Sequence, residues 1–306
     1  MKDEGRRTIP RTQHAQRPRR VLAAAALLTL GCAAAQAQLL GRPGDAAEAT
    51  RIFYDTRAVT AHTTELTGRG AMKFIISHRF GPLSSGAYQL FGLDQATIRI
   101  GLDYGVTDWL DVGVGRNGIG KTVDGFAKVN LLRQVDGGSP VAVTGLAGIG
   151  VNGLRFSDPE RENLFSSRLS YVFQVHAARR VHDRLSLMLS PTLVHRNLVP
   201  TAEIDNDVYA LGATARALVT KRVALTVQYY YVPDGQLARD RRDFLGVGVD
   251  VETKGHVFQL YAGNSRAMGQ TLVFTETTGE WLAGDVSLGF NITRDFRLRA
   301  KRGRRG

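Results

Sequence analysis

Gly284-Asp285-Val286-Ser287-Leu288-Gly289-Phe290-Asn291-Ile292-Thr293 alternates without a break. Val286, Leu288, Phe290 and Ile292 fall on one side. Asp285, Ser287, Gly289, Asn291 and Thr293 fall on the other. A period of two is the signature of an extended strand with one apolar and one polar face. The same rhythm recurs up the chain. Leu110, Val112 and Val114 alternate with Asp111, Gly113 and Gly115, and Ile98, Ile100, Leu102 and Tyr104 alternate with Thr97, Arg99, Gly101 and Asp103. Val223, Leu225, Val227, Tyr229 and Tyr231 form a further apolar row.

Extended over the chain, this reading predicts about twelve strands, near 71–79, 95–104, 109–115, 122–133, 140–150, 167–180, 184–195, 207–219, 222–232, 243–252, 255–263 and 283–293. Many have the roughly nine to eleven residues of a tilted strand that crosses a bilayer. Short links at 106–108, 134–139, 181–183, 219–221 and 252–254 alternate with long ones at 80–94, 116–121, 151–166, 196–206, 233–242 and 264–282. Such alternation is expected of an up-and-down barrel with one periplasmic and one extracellular rim, and an even strand number returns both ends to the periplasmic side. The expected fold is therefore all-β: a closed antiparallel transmembrane β-barrel of about twelve strands, spanning 71–296. A soluble periplasmic β-protein would show the same rows with the apolar face turned inward. Glycines on the polar rows (Gly101, Gly113, Gly115, Gly246, Gly248, Gly289) and aromatics ending the apolar ones (Tyr104, Tyr231, Phe80) favour the membrane form.

The chain of 306 residues carries a formal net charge of +12, but the charge is concentrated at the ends. Residues 1–37 hold seven basic and two acidic residues, and 297–306 hold six basic residues and no acid. The body between is nearly neutral, which argues against a nucleic-acid partner. The N-terminal charge precedes the apolar run Val21–Ala35 and Ala35-Gln36-Ala37. Basic lead, apolar core and small-residue exit form a secretory signal, with cleavage expected after Ala37 and lipidation of Cys32 as the alternative. Residues 38–70 are then a periplasmic N-terminal segment with the character of a partial plug, and 297–306 a basic tail.

Several stretches resemble a known family. They are His78-Arg79-Phe80-Gly81-Pro82-Leu83, Phe91-Gly92-Leu93-Asp94, Lys121-Thr122 with Asp124-Gly125-Phe126, and Leu131-Leu132-Arg133-Gln134. Gly255-His256-Val257-Phe258-Gln259-Leu260, Asn264-Ser265, Thr277-Thr278-Gly279-Glu280-Trp281 and Gly289-Phe290-Asn291-Ile292 complete the set. The chain resembles an uncharacterised bacterial family of membrane-bound β-barrel domains of unknown function over roughly 55–296. The resemblance implies a barrel in the outer membrane and supplies no catalytic residues.

Gly115, Gly120, Lys121 and Thr122 fit a phosphate-binding loop, G-x-x-x-x-G-K-[ST], letter for letter. The preceding strand alternates instead of running apolar, and no helix start follows, so the match is read as chance. Seven histidines without i,i+2 or i,i+4 pairing give no support for a metal site, and no cofactor is expected. Ser190 and His195 share one predicted strand, but five residues apart they face opposite sides. A lipid-acting hydrolase is accordingly the alternative to a non-enzymatic small passive pore or a structural or binding barrel.

The polar rows place Lys73, Arg79, Arg99, Asp103, Asp111, Asp124, Lys128, Arg216, Asp250 and Asp285 toward the lumen. With a three-residue turn at 106–108, Asp103 would lie opposite Asp111, and Arg99 or Lys128 would relieve the repulsion. The partners expected are outer-membrane lipid, the barrel-insertion machinery and small solutes.

Overall fold

A computed structural model describes residues 50–297. The expected signal segment, its cleavage site, Cys32 and the tail beyond Arg297 lie outside the described residues. A short hairpin, β1 (Arg57–Ala58) and β2 (Ala61–His62), precedes twelve longer strands. These are β3 (Ala71–Pro82), β4 (Ala96–Gly105), β5 (Leu110–Asn117), β6 (Val123–Leu132), β7 (Ala142–Val151), β8 (Leu169–His182), β9 (Leu185–Arg196), β10 (Asp207–Leu218), β11 (Val223–Tyr231), β12 (Phe244–Thr253), β13 (His256–Gly263) and β14 (Ser287–Arg297). Each pairs antiparallel with its sequence neighbours, and β14 closes on β3 through pairs such as Ile292 with Ile76. The fold is a closed, antiparallel, up-and-down barrel of twelve strands. Closure leaves no sheet edge with unpaired backbone groups, which is what a strand needs in hydrocarbon.

The alternation decides which face meets what. Outward rows expose Ile98, Ile100, Leu102, Leu187, Leu189, Leu225, Val227, Leu260 and Leu288, among others. Tyr104, Trp109 and Phe296 end these rows at the short-turn rim, and Tyr209, Tyr229 and Tyr231 at the opposite rim. An apolar belt between two aromatic girdles suits a bilayer and would be costly in water. Inward rows bury Lys73, Arg79, Lys128, Gln174, Thr226, Gln228, Gln259 and Asn291. The molecule is inside-out relative to a soluble β-barrel.

Glycines on the inward rows make room for large neighbours. A Cβ on Gly113 would lie 2.2 Å from the Phe126 ring, and one on Gly115 would lie 2.2 Å from the Arg99 guanidinium.

Two sequence expectations need correcting. The β4–β5 turn is longer than three residues, so Gly105 pairs with Asp111 and Asp103 pairs with Gly113. Both carboxylates still point inward, because a shift of two residues conserves the face. Asp285 is not in the lumen. It precedes β14 at the long-loop rim, where its carboxylate accepts hydrogen bonds from Ser84 Oγ at 2.6 Å and from the Glu280 amide at 3.3 Å. The alternating pattern continued into a loop that the ladder does not include.

Candidate functional site in the occluded lumen

The described part of the N-terminal segment, from Thr50 onward, enters the barrel. Residues 52–64 are buried throughout, and the β1–β2 hairpin stands inside the lumen. Its turn places Val59 at φ 56°, a backbone conformation that a β-branched residue rarely adopts. The apex is fixed by the wall: Asn291 Nδ2 donates to the Val59 carbonyl at 2.8 Å, and the Val59 side chain packs over Gly246 and Gly248 of β12.

Between Ile52 and Thr67 the segment is bonded by eight barrel strands. Asp55 accepts from Lys73 Nζ (β3) and Thr293 Oγ1 (β14), each at 2.5 Å. Arg57 Nη2 lies 3.2 and 3.0 Å from the two carboxylate oxygens of Asp103 (β4), and the Arg57 carbonyl accepts from Gln259 Nε2 (β13) at 3.0 Å. Thr60 donates through its amide and hydroxyl to Gln228 Oε1 (β11). Lys128 Nζ (β6) donates to the Glu65 carbonyl at 2.6 Å, and the Thr67 amide donates to Asp111 Oδ2 (β5) at 2.7 Å. Ser186 Oγ (β9) donates to the Ile52 carbonyl at 2.8 Å. On the other side of the segment, Ile52, Phe53, Ala58, Val59 and Ala61 join a cluster with Leu146, Val172, Met188, Val194 and Val208 of β7–β10. The ion pairs of the segment thus fall on β3 and β4, while β7–β10 offer it apolar side chains interleaved with neutral polar ones such as Thr144, Gln174, Ser186 and Thr192.

From the opposite rim, the link between β13 and β14 folds inward. Its helical turn, Gln270–Val273, is largely buried, and Phe274 packs on Tyr230 with ring centroids 4.3 Å apart. Gln270 Nε2 donates to the Thr60 carbonyl at 2.5 Å, and Asn117 Nδ2 donates to the Met268 carbonyl. Hairpin and inturned link meet end to end. Between them and the wall is a cavity of about 50 Å³, lined in part by Arg57, His62, Arg79, Arg99, Asp124 and Gln270.

The structure brings most of the predicted lumen residues to this interior. Lys73, Arg79, Arg99, Asp103, Asp111, Lys128, Arg216 and Asp250 are buried on inward rows, and Asp124 is half-buried beside them. Their pairing differs from the expected network. Arg99 does not reach the Asp103–Asp111 pair, because its guanidinium is held by Asp124 (Nε to Oδ2 2.9 Å). Lys128 faces Asp111 across the β5–β6 register, yet its ammonium donates to the backbone of the segment. The cation on Asp103 is Arg57, which no strand pattern could reveal because it is not on a strand of the barrel. The available signal was a pair of charges, Asp55 and Arg57, embedded in the apolar stretch from Ile52 to Val59, where an exposed linker would be polar. Gln228, Gln259, Asn291 and Thr293 were equally legible by parity as inward residues.

Gly115 ends in β5, while Gly120 (φ 62°) and Lys121 (φ 47°) form the hairpin loop to β6. Thr122 Oγ1 donates to the Ile119 carbonyl at 3.1 Å, and a strand follows where a phosphate-binding loop requires a helix. Ser190 finds a histidine other than the one on its own strand: His176 Nδ1 lies 2.9 Å from Ser190 Oγ. Both are buried, no carboxylate of the described residues pairs with His176, and the pair does not line the cavity. Nucleophilic catalysis needs a substrate path and an oriented base, and this pair has neither. Among the described residues no group of three or more His, Cys, Asp or Glu side chains is placed to hold a metal ion.

The family model for a membrane bound beta barrel domain (DUF5777) matches residues 53–296. The chain belongs to this family. The DUF5777 match begins at Phe53, inside the lumen segment, so the family domain includes the hairpin as well as the strands. Among solved structures, the chain is similar to the KdgM porin (10% identity, TM-score 0.45, covering 74% of this chain and 99% of that one). It is also similar to the NanC porin (10% identity, TM-score 0.46, covering 74% and 100%). A third similarity is to LpxR from Salmonella typhimurium (10% identity, TM-score 0.36, covering 73% and 99%). No curated protein matches the chain.

Proposed function

We propose that this DUF5777 member is an outer-membrane barrel closed at rest by its own N-terminal segment, and that it passes small solutes only when that segment leaves the lumen. One observation carries this reading: residues 52–64 are buried inside the barrel, bonded to eight of its strands, and the cavity between hairpin, inturned link and wall is about 50 Å³. The barrel ladder closes through β14 and β3 without any contribution from β1 or β2, so withdrawing the segment breaks no barrel backbone pairing. The groups it would uncover (Lys73, Asp103, Asp111, Lys128, Gln228, Gln259 and Asn291) are hydrophilic and of mixed sign, suited to water and without strong ion preference. The apolar belt and aromatic girdles support placement in the outer membrane, reached after export and cleavage of the N-terminal signal and with the help of the barrel-insertion machinery.

The test is conductance in planar bilayers of the full protein beside a variant lacking residues 50–66. The full protein should stay closed apart from rare events, and the deletion should give steady openings while retaining heat-modifiable gel mobility. A deletion variant that remains folded and does not conduct would assign the barrel a structural role.

A further inference from the structure

The cavity between hairpin, inturned link and wall contains a charge that the protein does not balance. Arg79 projects from β3 and is 1% exposed. Its Nη1 donates to the His78 carbonyl at 3.0 Å and to Asn291 Oδ1 at 3.3 Å, and its guanidinium lies 3.7 Å from the centroid of the Tyr261 ring. Its Nε has no hydrogen-bond partner, and no carboxylate of the described residues forms an ion pair with it. The other two arginines on the cavity wall are neutralised, Arg57 by Asp103 and Arg99 by Asp124. A guanidinium does not release its proton in a protein, and an isolated charge away from water is among the most costly features a fold can carry. An aromatic face and two neutral oxygens offset only part of that cost.

We propose that this cavity is a binding site for a small monovalent anion of chloride size, held by Arg79. The volume suits such an occupant: a water needs roughly 10–15 Å³ on this measure, so about 50 Å³ admits an ion with one or two waters but not an oligosaccharide or a nucleotide. The lining suits it as well. His62 Nδ1 and Gln270 Oε1 are both buried there without partners, and the latter accepts only from a donor such as ion-bound water. Asp124 is the one carboxylate on the wall, and its two oxygens are engaged by Arg99. Ser77 and Asn291 complete the polar lining on the strand side. The ion would sit where hairpin, wall and inturned link converge, and so would tie the three together. This goes beyond the closed-barrel reading and does not depend on whether the lumen ever opens.

The experiment uses the full protein in detergent, exchanged between sodium chloride and sodium gluconate at constant ionic strength. The heat-modification midpoint should rise with chloride and saturate, bromide should replace chloride, and gluconate should be inert because it does not fit. Arg79→Met should abolish the dependence and Arg79→Lys should retain part of it. Bromide-exchanged crystals of the unaltered protein give a readout that needs no variant: one anomalous peak within hydrogen-bonding reach of the Arg79 guanidinium is expected. Equal midpoints in the two salts, together with no anomalous peak in the cavity, would overturn the proposal.

Discussion

Replacing Arg57 with methionine should open the barrel without unfolding it. In the closed state Arg57 and Asp103 form an ion pair with side chains 8% and 1% exposed. Removing the cation leaves the Asp103 carboxylate buried among groups already committed elsewhere: Arg99 to Asp124, and Lys128 to the backbone of the segment. Breaking one side of a buried pair costs about 3–5 kcal/mol, because the remaining charge is uncompensated. Once the segment has left, Asp103 faces water and the penalty disappears. The closed state alone bears the cost, so the open-to-closed ratio should rise roughly 100- to 4,000-fold. Single-channel recording reads this ratio directly as open probability. The double variant Arg57→Met/Asp103→Leu should recover most of the closure, since neither charge then needs a partner. Equal open probabilities for the unaltered protein and Arg57→Met, with both retaining heat-modifiable mobility, would refute the argument that this pair holds the segment in place.

Gly113→Val should destabilise the barrel by about 1–3 kcal/mol through overpacking, because its Cβ would lie 2.2 Å from the Phe126 ring and 2.6 Å from Asp103 Oδ1; the urea midpoint in detergent checks it. Leu260 is 61% exposed in the middle of β13, so Leu260→Arg should cost about 2–4 kcal/mol in a bilayer, measured as the folding equilibrium into liposomes. The Asp285 carboxyl is held below its ordinary range first by the Ser84 hydroxyl and then by the Glu280 amide. A depressed carboxylate contributes its anchoring above its unfolded-state value and loses it as pH falls through the folded one. Trp281 fluorescence in a Trp109→Phe background should therefore show an acid transition below the normal aspartate range, absent in Asp285→Asn.

The strands were legible because each inward–outward row is set by a single local variable, the parity of a residue within its strand. Leu225, Val227 and Tyr229 could face only one way once Thr226 and Gln228 faced the other, and the structure places all five accordingly. Asp285 shows where that variable stops: alternation is a property of residues, while ladder membership requires continued strand geometry in both partners, and before Ser287 only single backbone bonds from Leu83 and Ser84 to Val286 and Gly284 remain. Asp103 and Asp111 show a second limit. Parity gives the face but not the register, and a register shifted by two residues moves one carboxylate past the other without changing either face. Arg57 was the least legible of all. Its role depends on a chain reversal at Val59 and on a lumen wide enough to admit a hairpin, and neither is written in the period of any strand.

The contacts of the seated hairpin constrain how the segment can move. Asp55 and Arg57 face Lys73, Thr293 and Asp103, whereas Phe53, Val59 and Ala61 join the cluster containing Leu146, Val172 and Met188. Rotating the hairpin about its long axis would take Asp55 and Arg57 from their partners and set them among apolar side chains, so partial reorientation of the seated hairpin is costly. Under the proposed function, withdrawal would release these contacts together, so single-channel records should show closed and open levels without graded intermediates. The inturned link strengthens this behaviour, since the bond from Gln270 to the Thr60 carbonyl holds only the seated apex.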